Sequence, residues 1–330
     1  MEKQHTASTG ETTSDQTRKT TYEPARVAIL VCTFNGVRFL KEQLESFIRQ
    51  AHKNWVIYVS DDGSTDGTLE ILKQYQILLG VDRVFIFHGP RQGFGKNFFS
   101  LINNREILAD YFAFSDQDDV WHDDKLSKAI SSLSSFDPQK PLLYCSRTQL
   151  IDSKGRTTGF SPLFTKPPCF RNALVQSIAG ANTMLMNSRA RRLLQQVDGD
   201  ANVIVAHDWL AYLVISGCGG TVVYDPESTL NYRQHDGNLI GANASLANQI
   251  SRIRKMLSGR FKEWTSNNLS ALACVSNQLT KENQQLLLDF ELARNSYLFK
   301  RIRLMKKTRV YRQTLKGNIS LKVAVVFNKI

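Results

Sequence analysis

The chain alternates short, unbroken apolar runs with amphipathic stretches, and that alternation constrains its fold more than any other feature. Val27-Ala28-Ile29-Leu30-Val31-Cys32 is apolar at every position. A strand covered on both faces reads this way, whereas a half-solvated strand alternates. Leu40, Leu44, Phe47 and Ile48 follow at helical spacing. Trp55-Val56-Ile57-Tyr58-Val59-Ser60 predicts a second strand, followed by a helix carrying Leu69, Leu72 and Tyr75. Arg83-Val84-Phe85-Ile86-Phe87 predicts a third strand with a helix from about Lys96, and Tyr111-Phe112-Ala113-Phe114-Ser115 a fourth. Strand and helix in turn predict an α/β fold: a doubly wound sheet flanked by helices, with its site at the carboxyl edge of the strands.

The pattern continues with a strand over 142–151, another at Thr183-Met184-Leu185-Met186, and a helix through Leu193 and Leu194. His207 opens an apolar helix ending near Gly217. Thr221-Val222-Val223-Tyr224 and Leu230-Asn231-Tyr232-Arg233 read as a closing pair of strands. Residues 1–25 are Thr, Ser, Gln and charge with almost no aliphatics, which predicts a disordered arm. The organisation expected is therefore arm 1–25, α/β body 26–242, and a basic helical C-terminal region 243–330.

Composition sets the outer bounds. With 42% hydrophobic and 22% charged residues, the chain can build a core and is not disordered throughout. No run approaches about 18 apolar residues, so no transmembrane helix is expected, and the N-terminus lacks the apolar centre of a secretory signal. Five cysteines without a CxxC pair argue against a zinc site or a disulfide framework and fit a reducing cytoplasm. Residues 251–330 carry 17 Lys and Arg against 4 Asp and Glu, so the net charge of +12 sits almost wholly there. Such a region is either a set of solvated helix faces or an attraction to lipid or nucleic acid.

Two acidic loops carry the chemistry. Asp116-Gln117-Asp118-Asp119 places three carboxylates within four residues at the end of a buried strand. Their repulsion needs a cation or hydrogen-bond donors, and hard oxygen ligands suit Mg2+ or Mn2+ rather than zinc. The plain alternative is a solvated turn in which Asp119 or Asp123 caps the helix containing Leu126. In Asp61-Asp62-Gly63-Ser64-Thr65-Asp66 a carboxylate can accept from a base N–H or a ribose hydroxyl, while Asp66 is suited to cap the next helix. There is no G-x-G-x-x-G after the first strand and no P-loop, and Gly93-Phe94-Gly95-Lys96 lacks the spacing, so dinucleotide oxidoreductases and P-loop enzymes are disfavoured.

Taken in order, Thr33-Phe34-Asn35-Gly36, Val59-Ser60-Asp61-Asp62-Gly63-Ser64-Thr65-Asp66-Gly67-Thr68, Asn97, and Phe114-Ser115-Asp116-Gln117-Asp118-Asp119-Val120-Trp121 resemble glycosyltransferase family 2, with the GT-A fold. The resemblance covers about residues 26–240. His207-Asp208-Trp209 and Tyr232-Arg233-Gln234-His235, with Asn238 and Gly241, resemble the bacterial branch that includes rhamnosyltransferases of surface polysaccharides.

The resemblance implies a mixed, mostly parallel GT-A sheet and an inverting transfer from a nucleotide-diphosphate sugar to a glycan or lipid-linked acceptor. It implies dTDP-rhamnose as donor ahead of UDP-hexoses. It implies nucleotide and donor contacts at Cys32, Thr33, Asn35, Asp62, Asn97, Asp116 and Asp118. It implies Mg2+ or Mn2+ at Asp118 or Asp119, and Asp208 as the general base that inversion requires; His235 can face the metal or a phosphate, or simply satisfy a local hydrogen bond. The enzyme would work in the cytoplasm, peripheral to the inner face of the plasma membrane.

Plainer roles exist. Asp208 can cap a helix beginning at Trp209, His207 can be an ordinary partly buried histidine, and Trp121 and Trp209 can be core or rim packing. Gly180-Ala181-Asn182 can line the acceptor side or form a turn. Between Leu292 and Arg312, Leu298, Ile302 and Met305 fall at helical spacing among Lys300, Arg301, Arg303, Lys306, Lys307 and Arg309, which predicts a basic amphipathic helix, either lying on an anionic membrane or packed on the catalytic domain through those same apolar residues. Two other functions compete: a nucleic-acid-binding protein, disfavoured because aromatics do not interleave with the basic run, and an inactive GT-A-like scaffold, opposed by the presence of Asp62, Asp118 and Asp208.

Overall fold

In the computed structural model, which describes residues 24–197, 206–235 and 260–330, the alternation appears as expected. Strand β1 (Val27–Thr33) is buried at every residue, and successive side chains point to opposite faces. Val27, Ile29 and Val31 join one core with Leu40, Leu44 and Phe47 of helix α1 (Leu40–Ile48). Ala28, Leu30 and Cys32 join a second core with Phe98, Leu101 and Ile102 of helix α3 (Phe94–Asn103). Two covered faces explain the unbroken apolar run. Helix α2 (Thr68–Leu79) follows β2 (Trp55–Asp61) and leads to β3 (Val84–His88).

Among the described residues nine strands form one sheet, in the order β3-β2-β1-β4-β8-β6-β9-β5 with β7 (Thr157–Phe160) paired to β6. β1, β2, β3 and β4 (Tyr111–Ser115) are parallel, and β6 (Leu142–Ile151) runs parallel to β9. Between these sets β8 (Leu185–Asn187) is antiparallel to both β4 and β6. The expected strand from Thr183 is shorter than predicted, because Ala181–Thr183 winds into a 3-10 turn first. Residues 221–233 form one strand, β9 (Thr221–Arg233), not two. Its polar middle, Asp225-Pro226-Glu227, accompanies the irregular register against Ser146 and Arg147. A bulge tolerates a proline that cannot donate to the ladder, and Asp225 there accepts from the Tyr144 hydroxyl at 2.8 Å. The far end of β9 pairs with the two-residue strand β5 (Val120–Trp121), which brings Arg233 to the acidic loop.

Helices α4 (Lys125–Ser134), α5 (Phe170–Ala173), α6 (Ser188–Leu194) and α7 (His207–Gly217) pack on the sheet. α7 is buried almost all round, and the C-terminal helices explain why. Leu269 and Leu272 of α8 (Arg260–Ala273), Phe290 of α9 (Lys281–Arg294), Met305 of α10 (Leu298–Thr308) and Leu321 of α11 (Leu315–Val326) belong to the same core as Tyr212 and Leu213. The single helix expected around Leu298 is bounded by a break at 295–297, and Arg301, counted there among surface charges, is buried. The N-terminal arm lies outside the described residues apart from Pro24 and Ala25. The boundary at 242, Asn238 and Gly241 also lie outside them.

Candidate active site

The carboxyl ends of β1, β2 and β4 meet in three loops that hydrogen-bond to one another. After β1, Asn35 adopts a left-handed backbone (φ 47°), a conformation Asn tolerates. Its amide donates to Ser64 Oγ at 2.9 Å, and its Oδ1 accepts from the Thr65 amide at 2.8 Å. Asp61 is wholly structural: Oδ2 accepts from Thr33 Oγ1 at 2.7 Å and Ser64 Oγ at 2.6 Å, and Oδ1 from the amides of Ser64 and Gly63. Asp66 accepts from the Thr68 hydroxyl and from the amides of Val37 and Thr68, pinning the start of α2 to the first loop; against a raising contribution from burial, these bonds hold its carboxyl below the usual range.

Asp62 faces the loop after β3. Its Oδ1 accepts from the Arg91 amide at 2.6 Å and its Oδ2 from the Gly93 amide at 2.9 Å. Asn97 lies beneath that loop, almost fully buried, donating to the Ser60 carbonyl at 2.8 Å. The loop passes so close that a Cβ on Gly89 would meet Asn97 Oδ1 at 2.6 Å and the Asp61 carbonyl at 2.9 Å. Cys32 ends β1 with its thiol pushed well above the ordinary range by burial, then by Asp116 and Asp62. The thiol is therefore a neutral wall, and backbone is what this strand end offers.

The acidic loop separates its four residues by task. Gln117 reaches back to the first loop: its Oε1 accepts from the Phe34 amide at 2.9 Å, and its Nε2 donates to the Phe34 carbonyl at 3.0 Å. Asp119 is fully buried, accepting from Asn182 Nδ2 at 2.5 Å and from the Arg233 amide at 3.1 Å. Burial, then Asp118 and Asp116, raise its pKa well above the usual value. Neither Asp119 nor Asp123 caps α4; Asp123 pairs with Arg49 at 3.3 Å. Asp118 is partly exposed, and its Oδ2 lies 2.8 Å from His235 Nε2. Asp116 has its pKa raised to about 7 by burial, by Asp118 and by Asp208. Carboxylates from two distant segments thus converge, Asp118 and Asp208 each lying close enough to Asp116 to raise its pKa.

Asp208 comes from the first turn of α7. The helix begins at His207, so Asp208 is inside it and caps nothing beyond its own neighbour, the Trp209 amide, at 2.7 Å. Burial raises its pKa to about 6 against that bond and a 3.5 Å contact from the Ser177 hydroxyl. The helix N-terminus favours the carboxylate form in the same place. His207 points away, stacked on Phe98 at 4.1 Å and edge-on to Phe114 at 5.1 Å. Trp121 and Trp209 are buried packing residues.

Arg233, whose motif carries no sign of its role, is central to the loop. Its Nε donates to the Asp118 carbonyl at 3.0 Å, its Nη2 pairs with Glu42 at 2.5 Å, and its guanidinium lies 4.6 Å from the Phe39 ring centre. Asn182 is a support for Asp119 and not a lining residue. Nothing local in the sequence marks Gln117, Asn182 or Glu42, because each acts on a partner 63 or more residues away.

The residues fit a divalent ion. Among the described residues no three His, Cys, Asp or Glu side chains form a complete metal site. Asp118 and His235 are the pair that would hold such an ion, through one oxygen and one nitrogen. A cation would relieve the mutual repulsion of Asp116, Asp118 and Asp208, which the raised pKa of Asp116 reflects.

Comparison with known proteins identifies the family and the fold. The model of "Glycosyl transferase family 2" matches residues 28–148. The dTDP-rhamnosyl transferase RfbG of Shigella flexneri is 30% identical over 264 residues, covering 76% of this chain and 88% of that protein. The structure of S. aureus TarS 1-349 in complex with UDP-GlcNAc superposes with a TM-score of 0.54 at 14% identity, covering 92% of this chain and 89% of that one. GalNAc-T7, solved with UDP, GalNAc and Mn2+, gives 0.50 at 12% identity over 91% of this chain and 58% of that one. On the family match, the 30% identity to the Shigella protein and the likeness of fold, the chain belongs to glycosyltransferase family 2 and is a rhamnosyltransferase-like glycosyltransferase of GT-A fold.

Proposed function

We propose that this chain transfers a sugar, with inversion, from a nucleotide diphosphate to a glycan or lipid-linked acceptor in surface-polysaccharide synthesis. The observation that carries this is the convergence of Asp116, Asp118 and Asp208, with His235 against Asp118. The donor reading is dTDP-rhamnose, supported by the name of the Shigella relative.

In this reading, backbone around Cys32 and Thr33, the Asn35 turn and Asp62 hold the nucleotide, and Asn97 shapes that pocket from beneath. Asp118 and His235 would hold Mg2+ or Mn2+, while Asp119 fixes the loop below them and Asp116 faces the donor sugar. A divalent ion there supplies positive charge to the departing diphosphate. Asp208 takes the proton of the acceptor hydroxyl as that oxygen attacks the anomeric carbon from the face opposite the leaving group. Its raised pKa suits a base working near neutrality. The transition state has oxocarbenium character, and the surrounding carboxylates favour its positive charge. Residues 26–242 form the catalytic unit, and the basic C-terminal region 243–330 places it, peripherally, at the cytoplasmic face of a membrane.

A panel of nucleotide sugars, read by nucleotide diphosphate release, tests the proposal. Release from dTDP-rhamnose in the presence of Mg2+ or Mn2+ supports it. Release from none of the panel with any acceptor extract would leave an inactive scaffold.

A further inference from the structure

α10 and α11 fold back on each other so that the start of one meets the end of the other. Arg301 holds the junction, donating to the Ser296 carbonyl at 2.8 Å and to the Val325 carbonyl at 3.0 Å. Around this clamp large apolar side chains stand in water. Tyr297 is 92% exposed, Phe299 87% and Phe327 61%, and Leu298 and Val326 beside them are exposed as well. Ile302 continues the face one turn on from Phe299. Between Ser296 and Ile330 the sequence has ten Lys and Arg and no Asp or Glu. Lys300, Arg303 and Lys306 are exposed on α10 itself.

We propose that this tip docks on an anionic lipid bilayer. Tyr297, Phe299 and Phe327 enter the headgroup layer, and Lys300, Arg303 and Lys306 meet lipid phosphates. The combination selects lipid over nucleic acid. Basic side chains would serve either, but exposed Leu298, Ile302 and Val326 gain nothing on a phosphate backbone and are drawn out of water by a bilayer. Aromatic rings are at home at the headgroup level. The tip is also rigid, because the Arg301 clamp fixes both helix ends, so little ordering cost accompanies docking.

The opposite end of the hairpin is tied to the acceptor side of the site. Arg312 Nε donates to the Val175 carbonyl at 3.1 Å and the Gln313 amide to Gln176 Oε1 at 2.8 Å. The next residue, Ser177, contacts Asp208. At 1.5 Å rise per residue α10 is roughly 16 Å long, and that length separates the tip from the anchor just beyond its other end. The inference rests on the proposed function for the identity of the acceptor it serves, but not for the docking itself.

Sedimentation with phosphatidylglycerol–phosphatidylcholine vesicles, against pure phosphatidylcholine, tests the docking. The intact protein should pellet with the anionic vesicles. Phe299→Ser with Phe327→Ser alters only water-exposed rings, so the thermal midpoint should hold while partitioning falls about tenfold or more at every salt concentration. Lys300→Gln with Lys306→Gln should lose about fivefold per charge at low salt, a difference that fades as salt is raised. Protein remaining in the supernatant, serine variants that bind like the intact chain, a dimer abolished by those substitutions, or duplex DNA bound more tightly than the vesicles at physiological salt would each overturn the docking. Diphosphate release on a soluble acceptor, measured on the same preparations, keeps the two ideas apart. Release without vesicle binding defeats the docking alone, and vesicle binding without release defeats the transferase reading alone.

Discussion

Asp118 and His235 are 117 positions apart in the chain and 2.8 Å apart in space. The pairing makes His235 a direct test of metal binding. His235→Ala should raise the Mn2+ concentration needed for half-maximal activity at least about tenfold, since even supporting residues of a metal site cost about 10–100-fold. Titration of activity with Mn2+ after chelation checks this, and an unchanged requirement removes His235 from the site.

Asp208→Asn keeps the shape of the side chain but cannot take a proton. Turnover should fall roughly 10²–10⁴-fold with donor affinity nearly unchanged. In the intact enzyme burial raises the Asp208 pKa to about 6. A base must be ionised, so activity should climb as pH rises through about 6 and level off above it. A pH–rate profile that stays flat from 5 to 8 would assign the base elsewhere.

His207 should govern acid stability instead. Its burial against Phe98 and Phe114 lowers its pKa to about 3. A depressed histidine contributes stability that is whole above its ordinary pKa of about 6.5 and is lost as pH falls towards 3. The slope can reach about 1.4 kcal/mol per pH unit. His207→Phe should flatten it, as followed by denaturant unfolding at a series of pH values.

The strand–helix alternation of the first 115 residues was readable because strands with two covered faces need apolar residues everywhere. β9 was read as two strands because a bulge and a strand end carry the same Pro and Asp signals. The acidic loop announced itself through crowding, yet its division of labour did not. Whether Asp118 or Asp119 faces outward depends on Asn182 and Arg233, and no local pattern ties these to the loop. Arg301 misled for a related reason: helical spacing finds the apolar stripe but cannot tell a solvated arginine from one bonded to carbonyls of another helix.

Gln117 and Gly36 should behave as one unit. Gln117→Ala removes the double hydrogen bond to Phe34, and Gly36→Ala would drive a methyl group into the same Gln117 amide. Each should weaken donor binding while barely moving the thermal midpoint. Because they break the same clasp, the double variant should be no worse than the poorer single one. Calorimetric binding of the nucleotide diphosphate measures the cycle.

Lys300 and Arg301 adjoin in sequence and should differ sharply. Arg301→Gln abandons buried carbonyls of Ser296 and Val325, at about 1–3 kcal/mol for each unsatisfied group. Lys300→Gln alters a solvated side chain and should stay within about 0.5 kcal/mol. Equilibrium unfolding in urea distinguishes them, and equal effects would mean that the Arg301 clamp contributes nothing.

The return of β9 to the acidic loop also sets an order of events during synthesis. Arg233 and His235 leave the ribosome more than a hundred residues after Asp118 and Asp119. Until they arrive, the parallel strands can already be paired, but the loop holds its carboxylates with neither the Arg233 amide nor the His235 ring beside them. Only when residues 233–235 have emerged can the segment around 116–119 close, which makes this loop the last part of the sheet edge to mature.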